Sequence, residues 1–238
     1  MADEDAEGFT QDGYLEDTYV TDLGLTWLAS RWEVLDALSE EDARCHLPAG
    51  GPVAEWLGFA ELAVDEFDRS KAVRLGQDVQ RLLRSSLPDE TIRRVWLAAT
   101  HGVFDPSEYG MSAGAWLRRV EQAWLTRVRQ DDAAFVPPPP QPVVDEELRR
   151  GVLQVIRPVA EPLGLAAGRP AFGVPSTGLV PALERVVTES CADLGFRLFL
   201  RAMKAYHVPA DRPRLVALGE RFGYPRWVVP DGLNDRTD

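Results

Sequence analysis

Histidine and cysteine are the residues that most often bind metals or act as catalytic bases and nucleophiles, and this chain has three histidines and two cysteines. Cys45 and His46 are adjacent, so on a helix their side chains diverge by about 100° and cannot easily share one ion. His101 and His207 each stand alone near a predicted helix end, and Cys191 lies on an apolar helix face. The short spacings typical of a zinc site do not occur among these residues. The sequence therefore predicts no metal site and no cofactor.

Three carboxylates, Glu61, Asp65 and Asp68, follow one another at i, i+4 and i+7 on a predicted helix. Such a row can chelate magnesium or serve a di-iron centre inside a helical bundle. The Glu-x-x-His pairs that a di-iron centre also needs are absent, and no second carboxylate cluster is apparent. We therefore interpret the row as a solvated helix face.

A nucleophilic site needs Ser, Cys or Thr beside a histidine and an acid. Thr100, His101 and Asp105 are close in sequence, but no Gly-x-Ser-x-Gly turn is present. Neither the phosphate loop of nucleotide-binding proteins nor the Gly-x-Gly-x-x-Gly pattern occurs. The sequence therefore predicts no catalytic residue and favours a protein that is not an enzyme.

A loop rich in glycine and proline, predicted over Gly164–Gly178, is long for a compact domain. It carries Arg169, and Ser176 and Thr177 stand just before a predicted helix whose first amides favour an anion. These three residues are the candidate anion or ligand site. The alternative is that Ser176 or Thr177 simply caps the helix.

Three basic residues, Arg197, Arg201 and Lys204, recur at i, i+4 and i+7 on a helix predicted over Leu179–Tyr206. The simplest interpretation is a solvated helix face. The next is a docking surface for the acidic N-terminus, from the same chain or from a second copy. A nucleic-acid surface is the weakest interpretation, because the chain has a net charge of -12.

The first 22 residues contain eight acids and neither lysine nor arginine, which accounts for two thirds of the net charge. A solvating tail explains this composition, but a cluster of acids beside aromatic residues also suits contact with a basic surface. The predicted contact residues in this stretch are Asp12, Tyr14, Glu16, Asp17 and Tyr19.

Four consecutive prolines, residues 137–140, followed by Gln141 and Pro142, interrupt the helical pattern. Proline has a fixed φ and no amide donor, so we expect an exposed, extended linker over 137–142. The predicted organisation is an acidic tail (1–22), a helical bundle (23–136), the linker, a smaller helical unit (143–230) and a second acidic tail (231–238).

Apolar residues recur at helical spacing through both units, and no useful stretch alternates as a strand would. The fold class is therefore mostly α: an irregular helical bundle joined to a smaller, mainly helical unit. Five of the seven tryptophans precede a leucine, and we expect them to fill the core between helices. The segment from Tyr224 to Pro230 is expected to be extended.

Composition is that of a globular protein, with no apolar run long enough for a membrane span and no secretory signal at the N-terminus. We therefore expect a cytoplasmic protein, and the arginine-rich, lysine-poor usage suggests a bacterial genome rich in G and C. The predicted function is a non-catalytic protein–protein interaction module, such as an adaptor, immunity-type inhibitor or regulator, that contacts a basic partner or a second copy. The alternatives are an enzyme that binds a small molecule or anion between the halves, and a regulator that faces nucleic acid.

Overall fold

The computed structural model describes residues 22–37, 50–65, 69–225 and 227–234, and within these ranges the chain is mostly helical, with no β-strand. The predicted fold class is confirmed. Before the prolines the helices are α1 (Leu25–Ser30), α2 (Trp32–Ala37), α3 (Pro52–Asp65), α4 (Arg69–Leu83), α5 (Asp89–Ala99) and α6 (Ala113–Asp131). After the prolines they are α7 (Glu146–Ile156), α8 (Ala160–Gly168), α9 (Leu179–Glu189), α10 (Ala192–Ala205) and α11 (Arg212–Arg221). Short 3₁₀ turns cover Pro106–Tyr109 and Arg157–Val159.

Several helices begin where a polar side chain can accept a hydrogen bond from a first-turn amide. The Ser112 hydroxyl accepts from the amide of Ala115 at the start of α6. Asp145 and Asp211 play the same part for α7 and α11. Such caps satisfy amides that have no partner within the helix, which is why these helices begin at these residues.

The tryptophans that precede a leucine all lie in the core, as predicted: Trp27, Trp56, Trp96, Trp116 and Trp124 are at most 2% exposed. Rings from different helices meet there, with centroids 5.4 Å apart for Trp56 and Trp96 and 5.6 Å apart for Trp96 and Trp116. The helices that carry them pack together, α6 against α3, α4 and α5.

Three local predictions were wrong. The helix expected over Leu179–Tyr206 is two helices, because Cys191 is extended, with φ -159° and ψ 125°, and ends the helical backbone. Its sulfur accepts a hydrogen bond from the amide of Val143, 3.3 Å away. The glycine-rich loop is shorter than expected, since α8 continues to Gly168. In the closing segment, residues 227–230 form turns, and the Val228 amide bonds the Pro225 carbonyl.

Helix α10 lies at the centre of the fold, and every one of its residues is buried. It contacts α7 and α9 from its own side of the prolines, and α1 and α5 from the other side. One hydrophobic core includes side chains from both sides. Residues 137–142 form neither helix nor strand and are exposed or half-exposed. Whether the two halves fold independently stays a prediction.

Candidate functional site

One stripe of α10 carries charged side chains although the helix is buried, and these side chains form the candidate site. Asp193, Arg197, Arg201 and Lys204 follow one another at i, i+4, i+8 and i+11, and all are buried, Arg197 and Arg201 to 1% exposure. An unpaired charge in such a place would be very costly, so its partners decide what the stripe can do.

Arg197 is held at the middle of α10 by two carboxylates. Its two terminal nitrogens each lie 2.6 Å from an oxygen of Asp78 on α4, and one of them also lies 2.9 Å from Asp193. The same guanidinium donates to the carbonyl of Leu23, and Asp78 accepts from the amide of Leu25. These bonds tie the start of α1 to α4 and α10.

Gly24 makes this close approach possible. Its φ is +60°, and a Cβ built on it would lie 2.3 Å from an Asp78 oxygen. No other residue therefore fits here, between α4 and α10, without displacing that carboxylate.

The Asp193 carboxylate accepts a hydrogen bond from the hydroxyl of Tyr224, 2.5 Å away, and another from the guanidinium of Arg197. Burial alone would raise the pKa of this carboxyl, but the charge of Arg197 and the Tyr224 hydrogen bond lower its pKa to about 2. Burial raises the pKa of Tyr224 well above its ordinary value. Asp193 is therefore ionised and Tyr224 is neutral at pH 7.

The last acid of the N-terminal stretch, Asp22, lies against the other end of the stripe. Its carboxylate is 3.1 Å from Arg201 and 3.7 Å from the amine of Lys204, and Glu33 pairs with the remaining arm of Arg201. Lys204 also donates to the carbonyl of Val228. Burial lowers the pKa of Lys204, and the nearby charge of Asp22 opposes that effect.

These ion pairs join four basic and four acidic side chains, which we call the α10 charge cluster: Asp22, Glu33, Asp78, Arg81, Asp193, Arg197, Arg201 and Lys204. Its formal charges cancel. The prediction of a solvated helix face at Arg197, Arg201 and Lys204 was wrong, and burial also denies these three residues to a nucleic acid. Asp22 is docked in cis on this row, and the other seven acids of the N-terminal stretch lie outside the described residues.

A second group lies between the halves, where the aromatic rings of Trp32, Phe172 and Tyr206 surround the imidazole of His101. Ring centroids are 5.2 Å from His101 to Trp32, 4.3 Å to Phe172 and 4.8 Å to Tyr206. We call these four residues the His101 cluster. They are spread from position 32 to position 206, so no local spacing in the sequence indicates the group.

The His101 cluster leaves polar atoms unpaired among the described residues. His101 Nδ1, Trp32 Nε1 and the Tyr206 hydroxyl are buried without a hydrogen-bond partner there, and His101 and Trp32 are only 7% and 8% exposed. Burial, with the neighbouring charges of His207 and Arg201, lowers the pKa of His101. The imidazole is therefore neutral at pH 7. One of its nitrogens can then donate a hydrogen bond and the other can accept one.

The glycine-rich loop carries Phe172 to this place. The Val174 amide bonds the Gly102 carbonyl at 2.8 Å, and a Cβ on Gly102 would lie 2.3 Å from the Val174 carbonyl oxygen. The three residues of the predicted anion site differ in exposure. Ser176 is buried and its hydroxyl donates to the Arg94 carbonyl, while Thr177 and Arg169 are exposed.

Gly178 precedes α9 and no side chain caps the helix, so the interpretation that Ser176 or Thr177 caps it was wrong. The anion or ligand site at Arg169, Ser176 and Thr177 stays a prediction.

The other candidate groups are not assembled. The Thr100 hydroxyl donates to the Trp96 carbonyl, and Asp105 pairs with Arg93, so neither faces His101 as a triad would require. Asp65 pairs with Arg127, while Asp68, Cys45 and His46 lie outside the described residues. Within the described ranges no three His, Cys, Asp or Glu side chains are grouped to hold a metal ion.

Comparisons with known proteins give this chain no relative: no family model, no curated protein and no solved structure matches it. Across the described ranges, no helix combines the length and the apolar character that crossing a bilayer demands.

Proposed function

We propose that this protein is a non-catalytic protein-binding module that contacts a basic partner surface through its acidic N-terminal residues. The predicted contact residues Asp12, Tyr14, Glu16, Asp17 and Tyr19 lie outside the described residues. The proposal therefore rests on the sequence of this stretch and on the body to which it is attached.

The observation that carries the proposal is the neutrality of the α10 charge cluster. Arg197, Arg201 and Lys204 are the basic row to which the N-terminal acids would most simply bind in cis. That row is buried and already paired with Asp22, Glu33, Asp78 and Asp193. The seven acids before Asp22 gain little from a cluster whose charges cancel, so a basic surface on another molecule is their natural target.

The acids and the aromatic residues of this stretch would affect different steps of binding. Carboxylates raise the rate of encounter with a basic surface, and that effect fades with salt. Tyr14 and Tyr19 would supply apolar contact area that slows dissociation. The two effects are separable by kinetics.

A charge-matched pair of full-length variants tests the proposal. Asp12→Asn/Glu16→Gln/Asp17→Asn changes the N-terminal stretch, and Glu161→Gln/Glu184→Gln/Glu220→Gln changes three exposed acids of the body by the same charge. With immobilised poly-L-lysine as the probe, the first variant should associate more slowly than the second at low salt, and both should converge at about 0.5 M salt. Equal association rates for the two variants would contradict the proposal.

The wild-type protein and these two variants serve as three baits for a quantitative capture from the cells that produce the chain. Exposed ion pairs contribute about 0.2–1 kcal/mol each, so losing three of them should weaken a true partner roughly 3- to 100-fold. A basic protein retained by wild type and the body variant, and lost with the N-terminal variant, is the expected result. A partner retained equally by all three baits would show that these acids do not carry the interaction.

A second candidate function, binding of a small molecule between the halves, is favoured by the unpaired atoms of the His101 cluster. A ligand with oxygen acceptors would satisfy Trp32 Nε1 and the Tyr206 hydroxyl, and Phe172, which is 48% exposed, is the member of the cluster most open to solvent. Such a ligand should raise the melting temperature even in high salt, and Tyr206→Phe should reduce that shift. A screen of small carboxylates and amides in which no compound raises the melting temperature would remove this candidate.

A further inference from the structure

The proline-rich segment, residues 136–144, shows a regular alternation of burial. Pro137, Pro140 and Val143 are half-buried, whereas the two residues between each of them are exposed. A polyproline II helix has three residues per turn, so residues three apart share one edge. The burial pattern is that of a polyproline II helix which rests one edge on the body and presents the other two to solvent.

The exposed edges carry apolar side chains. One edge is formed by Val136, Pro139 and Pro142, and the next by Pro138, Gln141 and Val144. Val136 is 78% exposed and Val144 is 66% exposed, the two highest values among the large apolar residues that stand out from the described surface. Pro139 and Pro142 have the spacing of a Pro-x-x-Pro ligand.

Both ends of the segment are fixed to the body. At the N-terminal end, Arg129 donates to the Phe135 carbonyl, and the Phe135 ring packs on Trp124 with centroids 5.9 Å apart. At the C-terminal end, Arg81 donates to the Gln141 carbonyl at 2.7 Å, and Val143 bonds Cys191 and Ala192. Because both ends of the segment are held on the body before any partner arrives, binding it costs little conformational entropy.

Charged side chains flank the segment, and most of the acids among them are paired with arginines. Asp131 pairs with Arg127 before the segment, and Glu146 and Glu147 pair with Arg149 and Arg221 after it. A partner would therefore recognise the shape and the apolar edges of the segment rather than a charged flank.

We propose that residues 136–144 are a preformed polyproline II ligand for a partner domain whose groove is lined by aromatic side chains. Aromatic grooves recognise this helix because its prolines are already ordered and its carbonyls stay available. The proposal uses none of residues 1–21 and, apart from the hydrogen bond of Arg81 to the Gln141 carbonyl, nothing of the α10 charge cluster, so it stands apart from the proposed function.

The test measures binding of the full-length protein to purified WW, SH3 and EVH1 domains as probes of such grooves. Pro139→Ala/Pro142→Ala removes one exposed edge, and Pro162→Ala/Pro181→Ala changes two exposed prolines elsewhere as the matched control. At least one probe should bind wild type and the control within about twofold of each other, and the first variant at least about tenfold more weakly.

Two results would overturn the proposal: no probe binds the wild-type protein at about 1 mM, or the Pro139/Pro142 variant binds as tightly as the control. Unchanged melting temperatures establish that both variants are folded. The N-terminal variant Asp12→Asn/Glu16→Gln/Asp17→Asn should bind the probe as wild type does. Its result separates a failure of this proposal from a failure of the proposed function.

Discussion

At the middle of α10 the guanidinium of Arg197 meets two carboxylates and a carbonyl, whereas at the end of the same helix the Tyr206 hydroxyl packs beside His101 without a described partner. The α10 charge cluster and the His101 cluster are both buried and both cross between the halves of the chain. They differ in charge. Each charged group of the first has an oppositely charged partner, although the Nε atoms of Arg81, Arg197 and Arg201 make no hydrogen bond to a described residue. The second is neutral, and its unpaired atoms are those of neutral groups.

The difference follows from the cost of removing polar groups from water. A buried guanidinium cannot lose its proton, so it is tolerated only with carboxylates around it. An imidazole can stay neutral, and an unpaired neutral atom costs only about 1–3 kcal/mol. The charge cluster is therefore structural, and the His101 cluster is where a ligand would improve the fold's own hydrogen bonding.

The largest effect is expected from Asp78→Ala, which leaves Arg197 buried with half of its carboxylate partners. Breaking a buried pair in this way should lower the free energy of unfolding by about 3–5 kcal/mol, measured by urea denaturation. Asp65→Ala, which removes an exposed partner of Arg127, should cost less than about 1 kcal/mol. Similar losses for the two variants would show that the ion pairs of the α10 charge cluster stabilise the fold no more than an exposed ion pair does.

The contact that brings Phe172 to His101 is tested by Gly102→Ala, with Gly110→Ala as its matched control. Both glycines have φ near +70°, but a Cβ on Gly102 meets the Val174 backbone at 2.3 Å, and one on Gly110 meets nothing within 4 Å. Each variant should lose about 1–2 kcal/mol to the backbone conformation, and Gly102→Ala should lose about 1–3 kcal/mol more. Equal unfolding free energies would mean that the loop does not press on this position.

The smallest effect is expected from His101→Phe, which keeps the ring and removes the unpaired nitrogen. Its stability at pH 8 should lie within about 1 kcal/mol of wild type. Because the pKa of His101 is lowered from 6.5 in the folded protein, the unfolded chain takes up a proton first as the pH falls below 6.5. Wild type should therefore lose stability as the pH falls through this range.

The Phe variant should lose this part of the pH dependence while keeping the loss at lower pH that the pKa of Asp193, lowered from 3.8 to about 2, produces. Urea denaturation at several pH values would check both parts. Identical slopes for wild type and the variant between pH 6.5 and about 5 would show that His101 does not titrate as the cluster implies.

The sequence predicted the elements whose signals are local and failed where the deciding partner is distant. The helical periodicity and the tryptophan core are both readable from neighbours in the chain. The environments of Arg197 and Arg201 cannot be predicted in this way. Asp78 lies 119 residues from Arg197 in the chain, and Asp22 lies 179 residues from Arg201. The apolar spacing runs unbroken through Cys191, so nothing local indicated that α9 and α10 are separate helices.

The central claim is that the basic residues of α10 are internal and leave the N-terminal acids for another molecule. Modification of the native protein with the arginine reagent phenylglyoxal, followed by mass spectrometry, tests it most directly. Arg197 and Arg201, each 1% exposed, should stay unmodified while Arg150, with a side chain 62% exposed, reacts. Modification of Arg197 and Arg201 at the rate of Arg150 would contradict the claim, because the row would then be open to the acids of its own chain.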